Sequence, residues 1–511
     1  MSISRRQLLG RGALVSAGTL AATSGLEALL AAPSGAERPS GDERPSGDER
    51  PSGDERAANP LFPPLVSAPN ALLALPEGFS YEVVAISGET DIHDGTGKLI
   101  GKTPERPDGT TAVELGSTLR LIQNHEAGAG SPQPVPHVEG TVYDAGLLGG
   151  GCTVIETTRA GHRLSQWVGL SGTASNCAGG PTPWGSWLTC EETEARAGTG
   201  TLTKDHGYVF EVFAERPGKQ SPLPIKAWGR APHEAVVIEP SRERVYLTED
   251  ASGPTGLLYR WTAPAGYRLK PYIANSLKDN DGTLDALVVL TGDGSVLPDL
   301  AYVTAAQIGR PFATRWKTVP DRHASTTSLR KQFAAGEVTH SKKLEGAWGD
   351  SKGMYFVASF AFGASDLPAD ATKHDGQLWY YDYASQTLTL MAYFPYSEKL
   401  HVESPSWEQA LGLSLDLAFD GPDGCHVSPY GSLILTEDGN TANHMLSWSR
   451  ETGAQAIVRN QIVLEQSALG GNVYSEMTGP TFSPDGTVLF GNVQEPGHVF
   501  AIRGPWQKYL G

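Results

Sequence analysis

The chain is short of basic residues: 40 Lys and Arg stand against 57 Asp and Glu, a formal net charge of −17. That balance disfavours a nucleic-acid backbone as the natural partner, because such a partner needs a basic footprint. It suits multivalent cations. Beyond the N-terminus no apolar stretch is long enough to span a bilayer. Cysteine is scarce, with only Cys152, Cys177, Cys190 and Cys425 in 511 residues. None lies just after the N-terminal apolar run, which argues against a lipid anchor there. In an oxidising compartment four thiols allow disulfides, Cys152 with Cys190 among them, but spacing does not fix the pairing.

What is abundant is turn chemistry: 60 Gly and 36 Pro, which favour many turns and few long helices. At the N-terminus, Ser4-Arg5-Arg6-Gln7-Leu8-Leu9 and the weakly apolar residues 12–26 read as a twin-arginine export signal over residues 1–32. Ala31 and Ala32 are the cleavage candidates. The twin-arginine route exports folded protein, which fits a chain that takes up its metal first. PSGAER and three copies of PSGDER follow, so residues 33–60 are expected to be a disordered spacer. No linker interrupts the rest, and residues 61–511 read as one domain.

The chain is organised around Asn176-Cys177-Ala178-Gly179-Gly180-Pro181-Thr182-Pro183-Trp184-Gly185-Ser186-Trp187-Leu188-Thr189-Cys190-Glu191-Glu192. Paired as a hairpin, it sets Cys177 beside Glu192, fifteen residues on. A thiolate beside a carboxylate is a poor electrostatic pair unless a cation separates them. The spacing recurs. Glu234 precedes Glu249 by fifteen, Asp423 precedes Asp438 by fifteen, Asp108 precedes Asn124 by sixteen and Glu476 precedes Asn492 by sixteen. Glu345 precedes Phe360 by fifteen, so this unit lacks its second acid. Six such hairpins predict an all-β fold, a six-bladed β-propeller with irregular insertions, whose hairpin ends meet around one mouth. The stretch Pro76-Glu77-Gly78-Phe79-Ser80-Tyr81-Glu82-Val83-Val84-Ala85-Ile86 is the candidate closing strand. Residues 303–308 and 326–335 are helical candidates, the latter, with Arg330 and Lys331, a surface insertion rather than a cap.

Carboxylates gathered without cations repel and raise each other's pKa. Many hard oxygen donors suit Ca²⁺, and one thiolate among them suits iron, so the mixture points to more than one metal. Strand alternation sends Glu191 and Glu192 to opposite faces, with Glu192 toward the mouth. His125, His233 and His426 read as supporting or packing residues. Trp184, Trp187 and Trp348 read as core.

Asn124-His125-Glu126, Asn176-Cys177-Ala178-Gly179-Gly180-Pro181-Thr182-Pro183-Trp184-Gly185, Thr189-Cys190-Glu191-Glu192, Pro232-His233-Glu234-Ala235 and Glu345-Gly346-Ala347-Trp348 resemble the PhoX family of bacterial alkaline phosphatases. The resemblance covers roughly residues 75–505, and the cysteine motif is its most specific part. It implies a six-bladed propeller exported by the twin-arginine machinery to the periplasm or beyond. It implies a centre of Fe³⁺ and Ca²⁺ that hydrolyses phosphomonoesters. By motif, Cys177, Glu192, Glu234, Glu345 and Asp423 are implied metal ligands, followed by Glu126, Glu249 and Glu476. The family holds phosphate with arginines near these acids; here Lys343 stands two before Glu345, as the implied substrate-binding residue, and Cys425 two after Asp423. No membrane span or nucleic-acid partner is expected, and the chain is expected to be a monomer. Two other functions fit the residues. A calcium-dependent propeller lactonase or phosphotriesterase needs no Cys177, and a non-catalytic binding propeller predicts metal without turnover.

Overall fold

The computed structural model describes residues 60–511 apart from 148, 216–218, 254, 362–374, 397–418, 420, 440–441 and 467–471. The export signal and nearly all of the PSGDER spacer fall outside them. The described chain is all-β, and its helical pieces are single turns or little more, such as Ile273–Ser276 and Trp506–Leu510. Of the two helical candidates, one holds only the 3₁₀ turn Ala305–Gln307 and the other only Leu329–Lys331. In the second, the Gln332 amide bonds the Asp321 carbonyl and the Thr327 carbonyl, local contacts that compete with a helical ladder.

The six hairpins foreseen from spacing all form. The first pairs Pro107–Leu115 with Thr118–His125, the second Asn176–Pro181 with Ser186–Glu191, and the third His233–Ile238 with Arg244–Glu249. The fourth pairs Leu344–Gly349 with Gly353–Ala361, the fifth Pro422–Val427 with Leu433–Glu437, and the sixth Met477–Phe482 with Val488–Val493. Turn chemistry sets their ends: Gly185 and Gly431 take φ of +82° and +92°, which glycine adopts without a Cβ penalty.

Each hairpin grows outward by antiparallel addition. The first carries Gly150–Thr158 and Arg163–Thr173, and the second Val209–Phe213. The third carries Leu258–Thr262, Thr283–Val289 and Pro311–Thr318. That last strand also pairs with Thr387–Phe394 of the fourth unit, so the two merge into a nine-stranded sheet. The fifth carries His444–Ser449 and Gly453–Asn460, then Leu73–Pro76 and Leu65–Val66. The sixth is completed by His498–Arg503 and by Ser80–Ile86 from the other end of the described chain. The candidate closing strand therefore does close the array, which is propeller-like.

The first strands of the hairpins are neighbours in the cycle first–second–third–fourth–fifth–sixth–first. All six break register near their start, between Pro107 and Thr110, Asn176 and Gly179, His233 and Val236, Leu344 and Ala347, Pro422 and Cys425, and Thr478 and Thr481. A bulge at this place re-aims the residue it contains. Five bulges contain Asp108, Cys177, Glu234, Glu345 and Asp423; the sixth contains Gly479 and Pro480. Small residues let these strands touch. A Cβ on Gly109 would stand 2.7 Å from the Cys177 carbonyl oxygen, and one on Gly346 2.9 Å from that of Asp423. All six strands line one axial cavity of about 30 Å³, large enough to hold water. The apolar core lies between sheets; around the second and third units it gathers Trp228, Val236, Leu247, Tyr259 and Trp261.

Candidate metal centre

At the mouth the bulges and the neighbouring strand ends bring together four overlapping triads of donor groups. Asp108, Glu126 and Cys177 form one; Cys177, Glu192 and Glu234 the next; Glu234, Glu345 and Asp423 the third; Asp423, Asp438 and Glu476 the fourth. Within each, the donor atoms lie within 4.8 Å of one another. Cys177, Glu234 and Asp423 are each shared, so the triads form one continuous run. The Cys177 thiol donates to Glu192 Oε2 at 3.0 Å, the pairing that the fifteen-residue spacing anticipates. The Ala178 amide donates to Glu234 Oε1 at 3.2 Å.

Two carboxylates 4.8 Å apart repel by about 3 kcal/mol at an effective dielectric near 20. Several such pairs would consume the stability of an ordinary domain, about 5–15 kcal/mol. The acids must therefore hold protons or cations. Burial, then the neighbouring acids, lifts Asp108 to about 8 and pushes Glu192, Glu234, Asp423 and Glu476 well above the carboxylate range. Burial, then Glu192, raises the Cys177 thiol in the same way. Each cost is reversed by a multivalent cation, which favours the deprotonated donor. The donor set fits both suggested ions: oxygens in number for calcium, and one shared thiol among carboxylates for iron.

Among the described residues two cationic side chains face the acids. Lys343 Nζ lies 2.7 Å from Glu345 Oε1 and 3.0 Å from Asp250 Oδ2. Arg106 pairs closely with Glu126 and lies 3.4 Å from Glu495. Arg106 and Lys343 occupy matching places, two before a bulge acid, and both take a left-handed φ, +51° and +56°. Gln494 Nε2 donates to Asp108 Oδ2 at 2.8 Å and to Glu126 Oε2 at 3.1 Å.

Of the eight implied ligands, seven meet here: Cys177, Glu192, Glu234, Glu345, Asp423, Glu126 and Glu476. Glu249 does not. Its carboxylate accepts from Arg330 Nη1 at 2.8 Å, the Tyr259 hydroxyl at 2.6 Å and the Leu257 amide at 3.1 Å, all on the far side of the strand. The next residue, Asp250, lies against Glu192 instead. In the fourth hairpin the position expected of Phe360 belongs to Ser359, whose hydroxyl donates to Glu345 Oε1 at 2.5 Å. Asp108 and Asp438 join the triads although the motif carry-over omits them, and Arg106 and Asp250 were not singled out. Asp108 and Asp438 were legible as hairpin-end acids; Arg106 was legible only as a basic residue two before one of them.

The histidines and Trp187 fall as expected, whereas Trp184 and Trp348 are half-buried and Trp348 lines the axial cavity. His125 is buried between the Glu105 carbonyl and Thr153 Oγ1, and burial lowers it to about 4. His233 bonds the Gly229 carbonyl, and His426 accepts from the Phe482 amide and packs against Trp348. Trp187 is buried and donates to Asn124 Oδ1 at 2.9 Å. Glu191 faces away from the mouth into a buried contact with His206, 2.5 Å away. All four cysteines are free, so Cys152 and Cys190 form no disulfide; Cys152 donates to Asn124 Oδ1. Cys425 is buried and lines the axial cavity.

The family model described as Alkaline phosphatase PhoX matches residues 60–497. Among solved structures, Pseudomonas fluorescens PhoX in complex with vanadate, a transition state analogue, aligns with a TM-score of 0.60 at 17% identity, covering 87% of this chain and 98% of that one. The pyranose dehydrogenase PQQ domain of Coprinopsis cinerea aligns with a TM-score of 0.34 at 11% identity, over 86% and 98% of the two chains. A gluconolactonase of Xanthomonas campestris aligns with a TM-score of 0.32 at 12% identity, over 88% and 99%. No curated protein sequence matches.

Proposed function

The chain belongs to the PhoX family of alkaline phosphatases, and from that footing we propose that it is an exported, metal-dependent phosphatase acting on phosphate monoesters at the mouth of a six-bladed propeller. The observation that carries the proposal is the unbroken run of triads through Cys177, Glu234 and Asp423. The closed cycle of six bulged strands supports the blade count.

Cys177, Glu192, Glu234, Glu345, Asp423, Glu126 and Glu476, with Asp108 and Asp438, are the proposed holders of Fe³⁺ and Ca²⁺. Bound there, such ions supply Lewis acidity that polarises a phosphoryl group and offsets its charge. The chain's own part is orientation. Lys343, poised between Glu345 and Asp250, is placed to hold an anionic oxygen as a point charge. Arg106 balances the Glu126 end of the run. The P. fluorescens relative takes vanadate, and the proposal extends that ligand class to this chain. Export is part of the proposal: Arg5 and Arg6 address the chain to the twin-arginine machinery, and changing both to Lys is expected to leave it in the cytoplasm.

Turnover of p-nitrophenyl phosphate at alkaline pH tests the activity. Hydrolysis that chelation abolishes, and that Cys177→Ser loses, is the expected result. Hydrolysis untouched by Cys177→Ser would favour the lactonase-like reading. Bound metal with no turnover of any phosphate ester would favour the binding propeller.

A further inference from the structure

Residues 319–343 join the strand Pro311–Thr318 to the fourth inner strand and are stitched to two loops. One loop leaves Glu192 and runs to residue 207. The Ala324 and Ser325 carbonyls accept from Arg196, and the Arg322 carbonyl accepts from the Arg230 amide at 2.9 Å. Arg230 Nη1 in turn donates to the Glu194 carbonyl at 3.0 Å. The other loop leaves Asp250, and there the Ser341 amide donates to the Gly256 carbonyl at 2.9 Å.

Between these attachments stands Arg330, only 8% exposed. Its Nη1 donates to Glu194 Oε2 at 3.0 Å and to Glu249 Oε1 at 2.8 Å. Glu194 is two residues past Glu192, and Glu249 is one before Asp250. One buried guanidinium thus ties together the exits of the second and third hairpins, just behind two acids that face each other in the mouth. Both carboxylates accept from the one Nη1, so a single charged donor holds them at a fixed separation.

We propose that residues 319–343 are a clamp and that Arg330 is a positioning residue. It sets the gap between Glu192 and Asp250, and so the cation affinity of a centre it does not touch. The inference rests on the proposed metal centre. It also explains why Glu249 is buried on Arg330 rather than turned to the mouth.

The test is calcium affinity, measured by competition with a chelator below the melting temperature, for wild type, Arg330→Gln and Arg330→Lys. Arg330→Gln is expected to bind calcium about 10–100-fold more weakly. Arg330→Lys is expected to recover part of that loss. A plain structural tie would lower the melting temperature of the chelated protein and leave the affinity unchanged; that result overturns the clamp alone. A wild type that binds no calcium overturns the clamp together with the calcium centre. Should Arg330→Gln fail to fold, Glu194→Gln decides: it keeps the Arg330–Glu249 pair, and weaker calcium binding supports the clamp while unchanged affinity overturns it.

Discussion

Gly479 has a left-handed φ of +56° and no room for a side chain: a Cβ would stand 2.3 Å from the Asp108 carbonyl oxygen. Gly479→Ala is expected to cost about 3 kcal/mol, seen as a lower denaturant midpoint; an unchanged midpoint would contradict the tight approach of the first and sixth strands. Lys343 makes a kinetic prediction. If its ammonium orients the substrate, Lys343→Gln raises KM for a phosphate monoester about tenfold or more while kcat falls less. An equal fall in kcat and kcat/KM would instead assign Lys343 to the transition state alone. At this scale the sequence misled by single positions. The second hairpin turns through residues 182–186, but the third turns through 239–244, one residue longer. Counting fifteen from Glu234 therefore stops one residue short, and in a strand one residue changes the face. The fourth hairpin errs the other way. Its turn, residues 350–353, is one shorter than the second's, so Ser359 takes the place counted to Phe360.

The hairpins themselves were legible because each couples an apolar strand to a glycine- or proline-marked turn, signals that are local in sequence. The bulges were not, since they depend on the neighbouring strand. Closure by Ser80–Ile86 is an element-scale claim with a direct check. A chain beginning at residue 87 leaves His498–Arg503 as an edge strand without its outer partner and strips Phe62, Leu73 and Leu75 from their core cluster. It is expected to show no cooperative unfolding transition; a native-like melt would contradict closure by this strand. A second element is the buried staple Asp144–His206–Glu191, in which His206 lies 2.5 Å from Glu191 and 3.3 Å from Asp144. Burial pulls the imidazole pKa down, but the two carboxylates outweigh it and raise it. A raised histidine stabilises fully below its unfolded value, about 6.5, and that contribution is lost as pH rises through the folded value. His206→Gln is therefore expected to cost more stability at about pH 6 than at about pH 10, read from denaturant midpoints. A gap that widens with pH would mean the imidazole is neutral in the fold.

Across the whole molecule, six strand starts converge on one acidic mouth, and the chain tolerates that repulsion only with counter-charge in place. Among the described residues Lys343 and Arg106 supply two positive charges among nine carboxyl and thiol donors in the triads, so protons or cations must neutralise the rest. Chelation at neutral or alkaline pH is expected to lower the melting temperature by several degrees, and restored calcium to reverse the change. The family motif made this centre legible as chemistry; its membership, with Asp108 and Asp438 in and Glu249 out, needed the register. The most direct test is elemental analysis of the exported wild-type protein beside Cys177→Ser. The account predicts iron together with calcium in the wild type, and iron lost or sharply reduced in the variant. Iron absent from the wild type, or retained in full without the thiol, would contradict a centre built on Cys177.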